Sequence, residues 1–197
     1  MLKSNCLKCV KCSLHKNRTQ VVFGEGNKNS KILFVGEGPG VNEDIEGRPF
    51  VGRSGELLDS MLKDIGLSRD KDIYISNIVK CRPPDNRDPL PEEQEMCIQW
   101  LRNQFYLMKP KIIVALGRIA SLKIVDINIK ITKDHGIFKK KNNVWMIPMF
   151  HPAAILRNMK NKIYMQKDFL NLKNKIQELE PFLIDSKTHI FNRLPIN

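Results

Sequence analysis

Four short apolar runs, each stopping at a glycine or a polar residue, constrain this chain more than any other feature. Lys31-Ile32-Leu33-Phe34-Val35 stops at Gly36, and Ile73 to Ile75 leads to Asn77. Ile112 to Leu116 stops at Gly117, and Val144 to Met149 ends at Phe150-His151-Pro152. Unbroken apolar runs of this length suit strands buried on both faces, as in a parallel sheet. Helical patterns lie between them. Leu57, Leu58, Met61, Leu62 and Ile65 recur at helical spacing, with Ser54 placed to cap the start and Gly66 to end the run. Pro91 opens a second helix, with Glu92, Glu93 and Glu95 where the helix dipole favours acids. Asn161 to Leu179 reads as a basic, amphipathic final helix. Strands alternating with helices predict an α/β domain over residues 1–180 around a mostly parallel sheet of four strands. Residues 181–197 carry little pattern and are expected to form a C-terminal tail.

In such sheets ligands bind beyond the carboxyl ends of the strands. The four strand ends would gather Gly36-Glu37-Gly38, Asn77, Gly117 and His151 at one crevice. The glycine turn is neither of the common nucleotide-binding loops. No Gly-Lys-[Ser/Thr] follows it, and the position where a dinucleotide fingerprint needs its third glycine is Val41. It continues instead through Glu43-Asp44 to Gly47-Arg48-Pro49-Phe50-Val51-Gly52, more chemistry than a tight turn requires. A net charge of +12 favours a polyanionic partner such as nucleic acid. No apolar run approaches the roughly 20 residues of a membrane span, and no apolar segment follows Met1 as in a secretory signal, so a cytoplasmic location away from membranes is expected. Five cysteines, an odd number, point to a metal, a cluster or buried thiols rather than a disulfide framework.

Three segments together carry a family resemblance. They are Gly36-Glu37-Gly38-Pro39-Gly40 through Glu43-Asp44 to Gly52, then Asn77-x-x-Lys80-Cys81-Arg82-Pro83-Pro84-x-Asn86-Arg87-x-Pro89, and finally His151-Pro152-Ala153. In this order and spacing, over residues 6 to 175, they resemble family 4 of the uracil-DNA glycosylases. The resemblance implies a three-layer α/β/α fold, a [4Fe-4S] cluster, and hydrolysis of the bond between uracil and deoxyribose in single- or double-stranded DNA by a monomeric enzyme. It places the cluster on Cys9, Cys12, Cys81 and Cys97, since Cys12-Ser13-Leu14 and Arg18 fit the family pattern after the second ligand. Cys6 is unassigned and is the alternative to Cys9 as the first ligand, and zinc is the alternative occupant because thiolates bind both.

The resemblance also assigns roles. A glycosylase must flip the base out of the helix before cutting it. Phe50 would stack on the flipped ring, and the Asn77 amide would match the N3–H and O4 edge of uracil, which cytosine reverses. Glu43 would crowd C5 and exclude the thymine methyl. His151, with backbone N–H groups near Glu37 and Gly38, would stabilise charge building on the departing base, and Glu37 is the candidate for orienting water. Arg82 and Arg87 in the loop after Cys81, and Arg157 after the histidine, would meet DNA phosphates, while an apolar residue of Ala153 to Leu156 would wedge into the stack. Lys139-Lys140-Lys141 is expected as a solvated hairpin turn. No lysine is placed for lyase chemistry, which implies a monofunctional enzyme leaving an abasic site. Two other classes are distinct: a protein that captures uracil-DNA without turnover, whose branch carries an Arg-rich insertion not found here, and a zinc-dependent nucleic-acid-binding module.

Overall fold

The apolar runs form the middle of one sheet. In the computed structural model, which describes residues 1–185, the strands are β1 Glu25–Gly26, β2 Ile32–Gly36, β3 Tyr74–Asn77, β4 Ile112–Leu116, β5 Lys139–Lys141 and β6 Val144–Met149. Their order across the sheet is β1-β3-β2-β4-β6-β5. The four inner strands are parallel, with Phe34 beside Ile75 on one side and Val114 on the other, and Val114 beside Ile147. The expected four-stranded sheet is thus its parallel centre; β1 and β5 add antiparallel edges, making six. These edges escaped sequence reading because they are short and not apolar. The three lysines of β5 are exposed strand, and the turn falls one step later on Asn142 and Asn143, whose φ angles of 49° and 62° are the left-handed pair a tight hairpin needs. A lysine edge also discourages pairing with other chains.

Nine helices in the described residues cover the two faces: α1 Leu2–Leu7, α2 Val41–Glu46, α3 Gly52–Asp64, α4 Arg69–Asp72, α5 Pro91–Met108, α6 Arg118–Ile124, α7 Ile131–Asp134, α8 Pro152–Arg157 and α9 Lys162–Asp185. Strand alternation divides the core in two. Leu33, Val35, Ile113 and Ala115 face α5, α6 and α1, packing on Ile98, Leu101, Ala120 and Cys6. Ile32, Phe34, Val114 and Leu116 face α3, α8 and α9, packing on Leu58, Met61, Ile155 and Phe169. This is the three-layer α/β/α arrangement. Helix α3 begins at Gly52, two residues before the expected cap, so Ser54 is inside its first turn. Helix α9 runs to Asp185; the tail expected beyond it lies outside the described residues. Among the described residues no helix is long and apolar enough to cross a membrane.

Candidate active site and cysteine pocket

The carboxyl ends of β2, β3, β4 and β6 open into a cleft of about 520 Å³ lined by Glu37, Gly38, Glu43, Phe50, Asn77, Gly117 and His151, among others. Every residue proposed from sequence to touch the base is therefore on one wall or another of one cavity. Its size suits a single base-sized ligand with room for sugar.

Asn77 ends β3, and its side chain is almost wholly buried. Its Oδ1 has no hydrogen-bond partner. An unsatisfied buried carbonyl is costly, so its presence at a cleft points to a ligand donor. Gly36 makes the room: a Cβ there would fall 2.4 Å from Asn77 Oδ1 and 2.7 Å from Phe50 Cζ.

Phe50 has φ +52°, which a bulky residue adopts only under constraint. The constraint is visible. Arg69, at the start of α4, donates to the carbonyls of Pro49 (2.9 Å) and Phe50 (2.8 Å) while pairing with Asp59. A Cβ on Gly55 would lie 1.8 Å from the Phe50 carbonyl, so only glycine lets α3 pass this close. Glu43 completes the loop. Its two carboxylate oxygens accept from the N–H groups of Gly40 (3.0 Å) and Val51 (2.9 Å), which fixes it at the cleft wall. The neighbouring Asp44 is buried and accepts from Thr19 and Gln20 N–H, tying this loop to the segment after the N-terminal cysteines.

His151 stacks on Phe50, with ring centroids 5.3 Å apart and planes 29° from parallel. Its Nδ1 accepts from the Ala153 N–H at 3.2 Å, so the neutral ring carries its proton on Nε2. Burial and then Arg157 pull its pKa down to about 4, which keeps the ring neutral near pH 7. Gly117, with φ +89°, backs the ring; a Cβ there would touch His151 Cβ at 3.0 Å.

Glu37 is pushed up to about 7, chiefly by burial and next by the carboxylate of Asp88, with Arg118 opposing. Asp88 and Arg118 pair with each other across the cleft rim and were not anticipated. Arg118 directly follows the strand-end glycine Gly117, which was the available signal. Asp88 gave none, because its partner is distant in sequence. Ser54 also lines the cleft and was read only as a cap.

The basic residues expected at DNA behave differently from one another. Arg157 is exposed at the end of α8. Arg82 is half-buried and donates to Asn86 Oδ1 (2.8 Å). Arg87 lines the cleft but is turned inward, gripping buried Glu93 through two contacts of 2.7 and 2.9 Å. It holds the loop down, which limits what it can offer a phosphate. Of the apolar wedge candidates, Ile155 is core; Leu156 alone among the large ones keeps some surface.

All five cysteines line one small pocket with Arg18, Lys80 and Trp100. N–H donors are aimed at sulfur: Lys80 backbone N–H to Cys97 Sγ (3.2 Å) and Arg18 to Cys81 Sγ (3.3 Å). Arg18 also donates to the Cys9 carbonyl at 2.6 Å. Burial pushes the Cys6 and Cys97 thiols up to about 12, so a bound metal is what would hold them as thiolates. No three of these groups surround a point at which a single metal ion would be held, among the described residues. Cys6 is fully buried and lines the same pocket as Cys9.

Comparison with known proteins matches residues 23–175 to the model of the uracil DNA glycosylase superfamily. A type-4 uracil-DNA glycosylase of Archaeoglobus fulgidus is 41% identical over 187 residues, 91% of this chain and 94% of that protein. This chain belongs to the type-4 branch of that superfamily. A type-4 uracil-DNA glycosylase of Thermotoga maritima is 50% identical over 162 residues, 79% of this chain and 82% of that protein. A type-5 uracil-DNA glycosylase of Pyrobaculum aerophilum is more distant, 31% identical over 147 residues, 66% of this chain and 64% of that protein. Membership accounts for the order of the three motifs along the chain and for their meeting at one cleft.

Proposed function

We propose that this protein hydrolyses the N-glycosidic bond of deoxyuridine in DNA and releases free uracil, leaving an abasic site for base excision repair. The observation that carries the reading is the unpartnered Asn77 Oδ1 in a cleft bounded by the Phe50–His151 stack. A flipped uracil on Phe50 would satisfy that oxygen through N3–H and offer O4 to the Asn77 Nδ2. Cytosine would set acceptor against acceptor there and leave buried groups unpaired, a strong basis for rejection. Glu43, held rigid by its two backbone contacts, would stand against C5 and exclude a methyl group.

As the glycosidic bond breaks, electrons move onto the base, and His151 Nε2–H is the donor that would stabilise charge at O2, with the N–H groups at Glu37 and Gly38 assisting. The ring need not transfer a proton, consistent with its low pKa. Ionised Glu37 would orient the water that meets the oxocarbenium-like sugar. Arg82 and Arg157 would meet the DNA backbone, Arg87 would support that loop through Glu93, and Leu156 remains the wedge candidate.

Cys9, Cys12, Cys81 and Cys97 would hold a [4Fe-4S] cluster. Zinc is the alternative occupant, because a four-thiolate set suits either. When bound, the cluster supplies a structural staple for the basic loop after Cys81. The working form is a monomer, and its compartment the cytoplasm, where the DNA is.

Incubation with a uracil-containing oligonucleotide followed by alkali tests the function. Strand scission with free uracil supports it. An SDS-stable adduct would instead mark a capturing protein, and binding alone a non-enzymatic module. A broad visible absorption band with matching iron and sulfide decides cluster over zinc.

A further inference from the structure

Lys80 is 1% exposed, among the most buried large side chains of the protein. It lies between the two sites just described. Its Nζ donates to Ser76 Oγ, to the Asn77 carbonyl at 2.9 Å and to Gln104 Oε1 at 2.8 Å. All three acceptors are neutral. Gln104 is itself fixed, donating to the Phe23 carbonyl at 2.9 Å. Among the described residues no carboxylate lies within ion-pair distance of Lys80. A buried cation without a counter-charge is expensive enough that proteins rarely keep one. What Lys80 does border is the cysteine pocket, and its backbone N–H reaches Cys97 Sγ. A metal centre held by four thiolates is net negative and would supply the missing charge.

We propose that Lys80 is a positioning residue that couples the two sites: its ammonium is the counter-charge of the thiolate-held cluster and the strut that fixes Asn77 for uracil. The proposal rests on the glycosylase reading above. It makes the cluster more than a staple for the outer loop, because its charge would keep the Lys80 strut, and through it Asn77, ordered. Losing the cluster leaves Lys80 uncompensated and loosens Asn77, although the cluster itself touches neither the base nor the Asn77 side chain.

The test uses the full-length, cluster-loaded protein and the variants Lys80→Met, Lys80→Gln, Asn77→Ala and Lys80→Met/Asn77→Ala, with Lys28→Met as a surface control. Two readouts are taken: the cluster's reduction midpoint by optical titration, and kcat/KM for uracil release. Removing a cation beside an anionic cluster disfavours the added electron, so both Lys80 variants shift the midpoint to more negative potential, while Lys28→Met does not. Lys80→Met lowers kcat/KM at least tenfold in the native background but less than threefold in the Asn77→Ala background, because it acts through Asn77. Lys80→Gln, which keeps a donor, loses less and covers the case in which Lys80→Met fails to retain iron. An unchanged midpoint, or equal losses in both backgrounds, overturns the proposal. Failure of the glycosylase reading is seen separately, as no uracil release by the unsubstituted protein.

Discussion

The two titratable groups of the cleft, Glu37 and His151, both work in their deprotonated forms but reach them at different pH. Glu37 is raised to about 7 by burial and by Asp88, so its carboxylate is ionised mainly above that pH. His151 is lowered to about 4 and stays neutral throughout the working range. If ionised Glu37 orients the water, kcat/KM for uracil release rises with pH and levels above about 7. Below it, the rate falls by about tenfold per pH unit, as for any single essential base. Glu37→Gln removes the limb and leaves a flat, low profile. His151→Asn leaves the limb in place but lowers kcat by about 10²–10³, the usual cost of one oxyanion donor. Single-turnover assays from pH 5 to 9, at constant ionic strength, measure both. An optimum with a falling limb above pH 7 that disappears in His151→Asn would refute the reasoning, since it would make the charged imidazole the working species.

Other consequences are equally direct. Asn77→Ala strips two hydrogen bonds from a desolvated base, each worth about 1–3 kcal/mol, so steady-state kcat/KM should fall by roughly 30-fold to 10⁴-fold. Gly36→Ala should act similarly without unfolding the sheet, because its Cβ intrudes on Asn77 Oδ1 and Phe50; melting curves and uracil release separate the two effects. Arg87→Met abandons Glu93, buried at 1% exposure, and should cost about 1–3 kcal/mol, read as a lower melting temperature at roughly 2–4 °C per kcal/mol. Arg87 first, then hydrogen bonds from the Leu90 N–H and Ser13, outweigh the opposing effect of burial and leave Glu93 depressed to about 2, so its stabilisation is present above the ordinary carboxylate range and lost as pH falls toward 2. The variant should therefore show a shallower acid-denaturation limb.

The parts of the fold legible in the sequence were those written in hydrophobicity. The runs at Ile32, Tyr74, Ile112 and Val144 formed the four parallel strands, and their ends delivered Glu37, Asn77, Gly117 and His151 to one cleft. What stayed hidden depends on partners far apart in the chain. The Asp88–Arg118 pair, the Arg69 clamp on Phe50 and the Lys80 strut join residues whose nearness no local pattern encodes. Arg87 shows the converse. A basic residue in a loop reads as a phosphate contact, but only the structure reveals that Glu93 already occupies its guanidinium. The lysine strand β5 was hidden for a different reason: edge strands are selected to look unlike strands.

The central claim is that the cleft recognises uracil and cuts it from DNA with turnover. Chromatographic quantification of free base from oligonucleotides bearing a single uracil, cytosine or thymine, with substrate in large excess, measures it directly. The account predicts many uracils released per protein molecule, and neither cytosine nor thymine above background. Release of no more than one uracil per molecule, or release of cytosine at a comparable rate, would contradict it.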